Sequence, residues 1–156
     1  MATPIPSPEA AVYQRCLDTL AANLTTHSVS PWTYDQLPNG TRALSHLVYA
    51  VGVLETLPYE LDRQKATHAL NTYSRIGVRM LARIRADNAP TDYRLALEYE
   101  NLARFNLIDE ADGTQSFQGP QKWRWTRSTR RSVADGEFLL SELEFKVWHM
   151  PYATSI

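Results

Sequence analysis

Cysteine and glycine are scarce in this chain of 156 residues, and each shortage excludes a class of site. The lone Cys16 has no partner for an intrachain disulfide, and none of the four histidines lies at metal-ligand spacing from it or from another histidine. The six glycines are scattered singly and do not form a glycine-rich phosphate loop, and no Gly-x-Ser-x-Gly motif surrounds a serine. We therefore predict no metal, no cofactor and no catalytic residue, and we expect the protein not to be an enzyme.

Long apolar runs and an excess of one charge sign are also missing. An apolar stretch such as residues 47–54 is far shorter than the roughly 20 residues of a membrane-spanning helix. The first residues lack the basic start and apolar run of a secretion signal, so we expect neither a membrane segment nor secretion. The 16 Lys and Arg residues balance 17 Asp and Glu residues, which argues against a dedicated nucleic-acid binder.

Proline is concentrated at the start of the chain. In residues 1–7 it alternates with small residues, which predicts an extended arm. Residues 8–156 are long enough to bury a core of their own, and we expect them to form a single α/β domain.

The first predicted helix follows the arm directly. Ser7 is a good N-cap, Pro8 fits the first helical position, and apolar residues recur at spacings of three and four to about residue 26. From His27 to Gly40 the composition is typical of turns, so we predict a long loop that carries two exposed aromatic residues, Trp32 and Tyr34.

Four later stretches have the patterns of strands, and one has the pattern of a helix. Valines and Gly52 in residues 44–54 favour a strand over a helix, and Pro58 ends it. Residues 74–85 alternate apolar and arginine side chains, with Leu81 as the one apolar residue on the charged side. The remaining predicted elements are a charged connector at 58–65, a helix at 91–105, turns at 112–113 and 119–120, and strands at 122–131 and 137–149.

In its order of elements and in the strand patterns of residues 75–85 and 137–149, the chain resembles the tail terminator proteins of long-tailed bacteriophages. The resemblance covers nearly the whole chain. It implies an α/β (α+β) fold in which two or three helices flank a single mixed, mainly antiparallel four-stranded sheet, in the order α-β-β-α-β-β.

The resemblance also implies a function in the virion. Six identical copies would form a ring on the last ring of the tail tube, stop its polymerisation, and present an attachment surface to head-completion or connector proteins. Such a protein is assembled in the host cytoplasm and lies at the head-proximal end of the tail. Phage DNA passes through its channel without sequence-specific binding.

Arginine-rich segments supply the candidate contact residues. The basic segment 122–131 has three interpretations: a solvated hairpin paired with acidic neighbours at 109–112 and 135–137, a subunit or partner contact, or a DNA contact. Arginines of 75–85 form either a solvated sheet face or pairs with carboxylates, including those of the last strand. The residues that we assign to a subunit or partner interface are Trp32, Tyr34, Arg75, Arg79, Arg83, Lys122, Trp123, Arg124, Trp125, Arg127, Arg130, Arg131, Glu142 and Glu144.

A winged-helix DNA-binding regulator is the alternative hypothesis. In it, residues 99–108 form a helix, and the Trp- and Arg-rich segment 109–131 forms the wing. The predicted helix 91–105 carries Asp92, Glu98 and Glu100 against two arginines, so it lacks the basic character of a recognition helix.

Overall fold

Two α-helices lie on one face of a five-stranded sheet in the computed structural model, which describes residues 7–37, 47–58, 72–111 and 122–149. The elements in chain order are α1 (Pro8–Asn23), β1 (His27–Val29), β2 (Leu47–Pro58), β3 (Thr72–Arg83), α2 (Ala89–Ala111), β4 (Lys122–Val133) and β5 (Phe138–His149). Short 3-10 turns precede β2 and α2, at Tyr34–Gln36 and Ala86–Asn88. Residues 1–6 of the predicted arm, the connector beyond Pro58 and the turns at 112–113 and 119–120 lie outside the described residues.

The sheet is mixed and mainly antiparallel, as predicted, with the strand order β1-β2-β3-β5-β4. β1 runs parallel to β2, and all other neighbours are antiparallel. The prediction of four strands was wrong, because His27–Val29 lies within the expected loop yet pairs with residues 47–49. Three residues are too few to show an alternating pattern, so the sequence carries no signal for this strand.

α1 begins where the sequence predicts. The Ser7 hydroxyl accepts a hydrogen bond from the Ala10 backbone N–H at 3.0 Å, and Pro8 is the first helical residue. The helix ends at Asn23, about three residues before the predicted end. The Leu24 backbone N–H still donates to the Leu20 carbonyl at 2.7 Å, so the last turn is closed.

α2 is longer than predicted, at 23 residues. Its buried face continues through Ala103 to Leu107, which packs in the main core beyond the expected end at residue 105. At its start Asp92 accepts hydrogen bonds from the backbone N–H and the guanidinium of Arg85, at 2.9–3.0 Å. These bonds, led by those from the Arg85 side chain, hold the pKa of Asp92 well below its usual value. Neither described helix is long and apolar enough to cross a membrane.

The main core lies between the helices and one face of the sheet. Alternate residues of β3, including Ile76, Val78 and Met80, point into it as the pattern predicts. The other members from the helices and strands are Val12, Cys16, Leu20, Leu24, Tyr49, Val51, Ala103, Leu107, Trp123, Leu143, Phe145 and Val147.

A second, smaller core covers one end of the opposite face. Leu81, the apolar exception in the charged pattern of β3, is fully buried there. It packs with Leu37 from the segment after β1 and with residues from β2 and β5, namely Val48, Ala50, Phe138 and Leu140. The exception is therefore a core position on the second face.

Tyr34 lies in a slot that two glycines leave open. Gly52 and Gly77 are paired across β2 and β3. A Cβ at Gly77 would lie 2.6 Å from the Tyr34 Cζ and hydroxyl oxygen, and one at Gly52 would lie 2.9 Å from its Cβ and Cγ. On the ring, the Arg79 guanidinium stacks 4.3 Å from the centroid and donates to the Tyr34 carbonyl at 2.7 Å. The expectation that Tyr34 is exposed was wrong, since it is 9% exposed.

The slot predicts that Gly77→Ala destabilises the protein by about 2 kcal/mol, because the new methyl group overlaps the Tyr34 ring. In a Tyr34→Ala background the same substitution should change the free energy of unfolding by less than about 0.5 kcal/mol, since the ring is gone. Urea unfolding of the four proteins measures this coupling. An equal cost of Gly77→Ala in both backgrounds would contradict the account.

Candidate interaction surface

The open face, by which we mean the sheet face turned away from α1 and α2, carries the charged side chains of β3, β4 and β5. In the register of β3 and β5, Gly77 is opposite Glu144 and Arg79 is opposite Glu142. On the other side of β5, Arg127 of β4 is also opposite Glu144. Arginines from both neighbouring strands can therefore reach the two glutamates of β5.

Glu144 is the centre of this arrangement. Its carboxylate accepts hydrogen bonds from the Arg75 guanidinium and from Arg127 Nε, the latter at 2.6 Å. Arg75 also donates to Glu55 of β2 at 2.9 Å, so one arginine ties β2 to β5 across β3. Burial raises the pKa of Glu144, but the hydrogen bonds from Arg75 and Arg127 outweigh that effect and leave the pKa below its usual value.

Glu142 has a second pair of arginine partners. Arg79 Nη2 lies 3.5 Å from one carboxylate oxygen, and Arg131 Nε lies 3.7 Å from the other. Because Arg79 also binds the Tyr34 carbonyl, it connects the glycine slot to β5. We call these seven residues the Arg–Glu lattice: Glu55, Arg75, Arg79, Arg127, Arg131, Glu142 and Glu144.

The lattice bears on one of the alternatives that the sequence left open. Arg75 and Arg79 of β3 pair with Glu144 and Glu142, as the sequence allowed. Three arginines of the basic segment form described ion pairs with carboxylates of α2 and β5. Those pairs are Arg127–Glu144, Arg130–Glu100 and Arg131–Glu142.

Arg130 lies on the opposite face from the lattice, and the sequence did not reveal this. In the strand register it is opposite Ser141 of β5. Its guanidinium donates two hydrogen bonds, of 2.6 and 2.7 Å, to the carboxylate of Glu100 in α2, whose side chain is 3% exposed. The spacing of Glu100 could have indicated its burial, because it lies four residues after Ala96 and three before Ala103, on the buried face of α2. This ion pair attaches the helix to the edge strand.

The two indoles of the basic segment have different environments. Trp123 is 7% exposed and packs edge-on against Phe145 in the main core, so it supports the sheet from within. Trp125 is 39% exposed, and the Arg104 guanidinium of α2 stacks 4.4 Å from its ring centroid. Trp125 Nε1 also donates to the Ser128 hydroxyl at 3.0 Å.

Four other predicted contact residues lie outside the lattice. Arg83 stacks on the Phe138 ring, 5.1 Å from its centroid, and Trp32 packs partly buried against the second core. The exposed Arg124 side chain forms no ion pair or hydrogen bond with another described residue. Lys122 is the first residue of β4, opposite Trp148 of β5.

Exposed charged residues lie at both ends of the sheet. Arg124 and Arg127 lie near the start of β4, on an edge strand whose register shifts between Trp125 and Arg127. Asp87 and Glu137 are exposed at the opposite end, where the Ile84 backbone N–H donates to the Glu137 carbonyl at 2.8 Å, and Arg83 and Arg85 are exposed beside them. At about 3.3 Å per strand residue, Arg124 and the end that carries Glu137 are roughly 30 Å apart.

Two buried titratable groups outside the lattice, Cys16 and His27, are held in neutral forms. Burial raises the pKa of the Cys16 thiol and lowers that of the His27 imidazole to about 4. His27 packs edge-on against Tyr99, 5.0 Å between ring centroids. Within the described ranges, no group of three or more His, Cys, Asp or Glu side chains is placed to hold a metal ion.

The segment assigned to the wing in the alternative hypothesis is divided between two elements. Residues 109–111 belong to α2, and residues 122–131 belong to β4, a twelve-residue strand at the edge of the main sheet. The proposed helix 99–108 is the C-terminal part of α2, whose Ala103 and Leu107 are buried in the main core.

Comparisons with known proteins identify a similar fold. No protein-family model matches the sequence, and no curated protein matches it. A chain in the solved structure of the virion of a native gene transfer agent (GTA) particle matches with a TM-score of 0.53 and 17% sequence identity. The match covers 90% of this chain and 92% of the other, so the likeness extends over the whole fold.

The lattice predicts that Glu144→Gln lowers the free energy of unfolding by about 1 kcal/mol at neutral pH, because two arginines lose their charged partner. The lowered pKa means that Glu144 stabilises the folded state above the ordinary carboxyl pKa of about 4.3 and loses this effect as the pH falls through the folded value. The difference between wild type and variant should therefore shrink toward pH 3.

Glu98→Gln is the matched control. Glu98 lies on the exposed side of α2, 3.9 Å from Arg94, and its loss should change the free energy of unfolding by less than about 0.5 kcal/mol. Urea unfolding at several pH values compares the two variants. Equal effects, or a Glu144→Gln effect that is independent of pH, would show that the lattice does not stabilise the fold.

Proposed function

We propose that this chain is a structural, non-catalytic component of a phage-like virion. The observation that carries the proposal is the fold likeness to a chain of a gene transfer agent virion, which extends over nine-tenths of both chains. The pairing of the charged side chains on the open face supports it as well, because the arginines and glutamates of the lattice serve the fold and its surface.

Within that class we propose a tail terminator: six copies form a ring that caps the tail tube, stops its polymerisation and receives the head-completion or connector proteins. The ring would lie at the head-proximal end of the tail, after assembly in the host cytoplasm, and DNA would pass through it without sequence-specific contacts. The resemblance in element order and the whole-length fold likeness both support this assignment.

The charge distribution on the sheet could support contacts between identical subunits. A closed ring uses heterologous contacts, in which one patch of a subunit meets a different patch of the next. The start of β4, with Arg124 and Arg127, and the opposite end of the sheet, with the exposed carboxylates of Asp87 and Glu137, are two such patches. Opposite charge on separate patches favours this head-to-tail contact over contacts between like patches.

The predicted interface residues have two roles in this proposal. The exposed side chains of Arg83, Arg124, Trp125, Arg127 and Arg131 are available to a neighbour. Tyr34, Arg79 and Trp123 are buried or half-buried and act by holding the open face in shape. Arg127 and Arg131 of β4 are held by ion pairs to Glu144 and Glu142 of β5, and their side chains remain 67% and 57% exposed.

A charge exchange tests the contact. Arg124→Glu and Glu137→Lys should each shift self-association to at least tenfold higher protein concentration, because each places like charges opposite each other, at a cost of more than about 1.4 kcal/mol. The double variant restores an opposite pair in every contact and should recover assembly. Sedimentation velocity of the full chain at low and high salt measures the change.

Arg94→Glu, on the exposed side of α2, is the control and should leave assembly unchanged. A wild-type protein that stays monomeric at all concentrations would contradict the proposal. So would a dimer that shifts duplex DNA with an affinity that falls steeply as salt rises, which is the behaviour of the winged-helix alternative.

A further inference from the structure

A groove of about 340 Å³ lies beside β2, next to the point where β1 ends. α1 contributes Tyr13 and Leu17 to its wall, the segment after β1 contributes Trp32, and Ala50–Val53 of β2 lines it as well. Val29, the last residue of β1, stands at its margin. The residues of the Arg–Glu lattice do not line this groove, although Tyr34, which Arg79 holds, does.

The groove is open and mostly apolar. Tyr13 is 39% exposed and Val29 is 53% exposed, although each adjoins buried apolar residues. β1 pairs only with Leu47–Tyr49, so among the described residues no strand lies beside Ala50–Val53 on this edge of the sheet. An apolar groove of this kind at a sheet edge is suited to an extended peptide.

The chemistry of the wall favours a proline-rich peptide. Grooves lined by Tyr and Trp rings bind polyproline II segments, whose prolines pack flat on the rings and whose conformation costs little entropy to fix. Tyr13 and Trp32 are the rings here, and Ser30 and Asp35 add polar groups for the peptide backbone. This chain carries such a segment in its first six residues, Met1-Ala2-Thr3-Pro4-Ile5-Pro6.

We propose that residues 1–6 of one copy bind in the groove of a neighbouring copy, an inference that rests on the proposed self-assembly. The arm joins α1 at Ser7, whose backbone is extended, with φ −122° and ψ 143°. Prolines at 4, 6 and 8 fix their own φ angles and keep the residues before them extended.

Length supports an exchange between copies. Six residues of polyproline II span roughly 19 Å, which is enough to cross a subunit boundary and occupy the groove. Arm exchange would add an apolar contact to the charged one. Because an apolar contact is insensitive to salt, the ring would keep part of its cohesion when the charged contact is screened.

Mixed cysteine variants test the exchange directly. One protein carries Ile5→Cys and the other carries Val29→Cys, so a disulfide between positions 5 and 29 can form only between copies. Cys16 is buried and its burial raises its pKa, so it stays unreactive. Mild oxidation should give a covalent dimer with a 5–29 link by peptide mass spectrometry. Ile5→Cys mixed with Glu98→Cys, on the exposed side of α2, should give at least tenfold less.

Two further results distinguish arm exchange from its alternatives. Replacing Pro4 and Pro6 with glycine in the Ile5→Cys protein should lower the yield of the link at least threefold, because the arm loses its preferred conformation. A chain that carries Ile5→Cys and Val29→Cys together should form linked oligomers. If it forms only an internal disulfide, the arm occupies its own groove and the proposal is overturned.

Sedimentation of the same samples separates this inference from the proposed function. Assembly without a 5–29 link overturns arm exchange but does not contradict the proposed virion ring. Absence of both assembly and the link overturns both proposals. A link whose yield is unaffected by the glycine substitutions overturns groove recognition, since a flexible tether would then suffice.

Discussion

The constraint on which the rest of this structure depends is that two helices cover only one face of the five-stranded sheet. The other face has to satisfy its own polar groups and exclude water from its own apolar end. It does so in two ways: Tyr34 fills the slot left by two paired glycines, and four arginines share three glutamates across four strands. Arg79 takes part in both arrangements, because it stacks on the Tyr34 ring and faces Glu142.

This arrangement turns a set of separate charges into a stiff surface. Arginines held by carboxylates on a sheet lose less side-chain entropy when they meet a partner than free surface arginines do. Arg124 and Arg127 remain exposed near the start of β4, and the carboxylates of Asp87 and Glu137 remain exposed at the far end of the sheet. A subunit that presents these two separate groups is suited to head-to-tail contacts with its own copies, which accords with the proposed role in a virion ring.

Much of the fold could be predicted because its signals are local. The Ser7–Pro8 cap and the alternation of β3 and β5 appear directly in the sequence. The candidate surface was harder, because its grouping depends on the register shift between Trp125 and Arg127. That shift brings Arg124 and Arg127 to the same face and sends Arg130 to the helices. No residue type in the segment indicates the shift, so the sequence could not show which of these arginines lie on the same face.

Closure of identical copies into a ring is the proposal on which the function of this chain depends. Negative-stain electron microscopy of the purified full chain at low salt tests it most directly. We expect closed particles of one rotational symmetry, six-fold by the proposed assignment, with a central channel. Isolated monomers, symmetric dimers or open filaments at every concentration would contradict it.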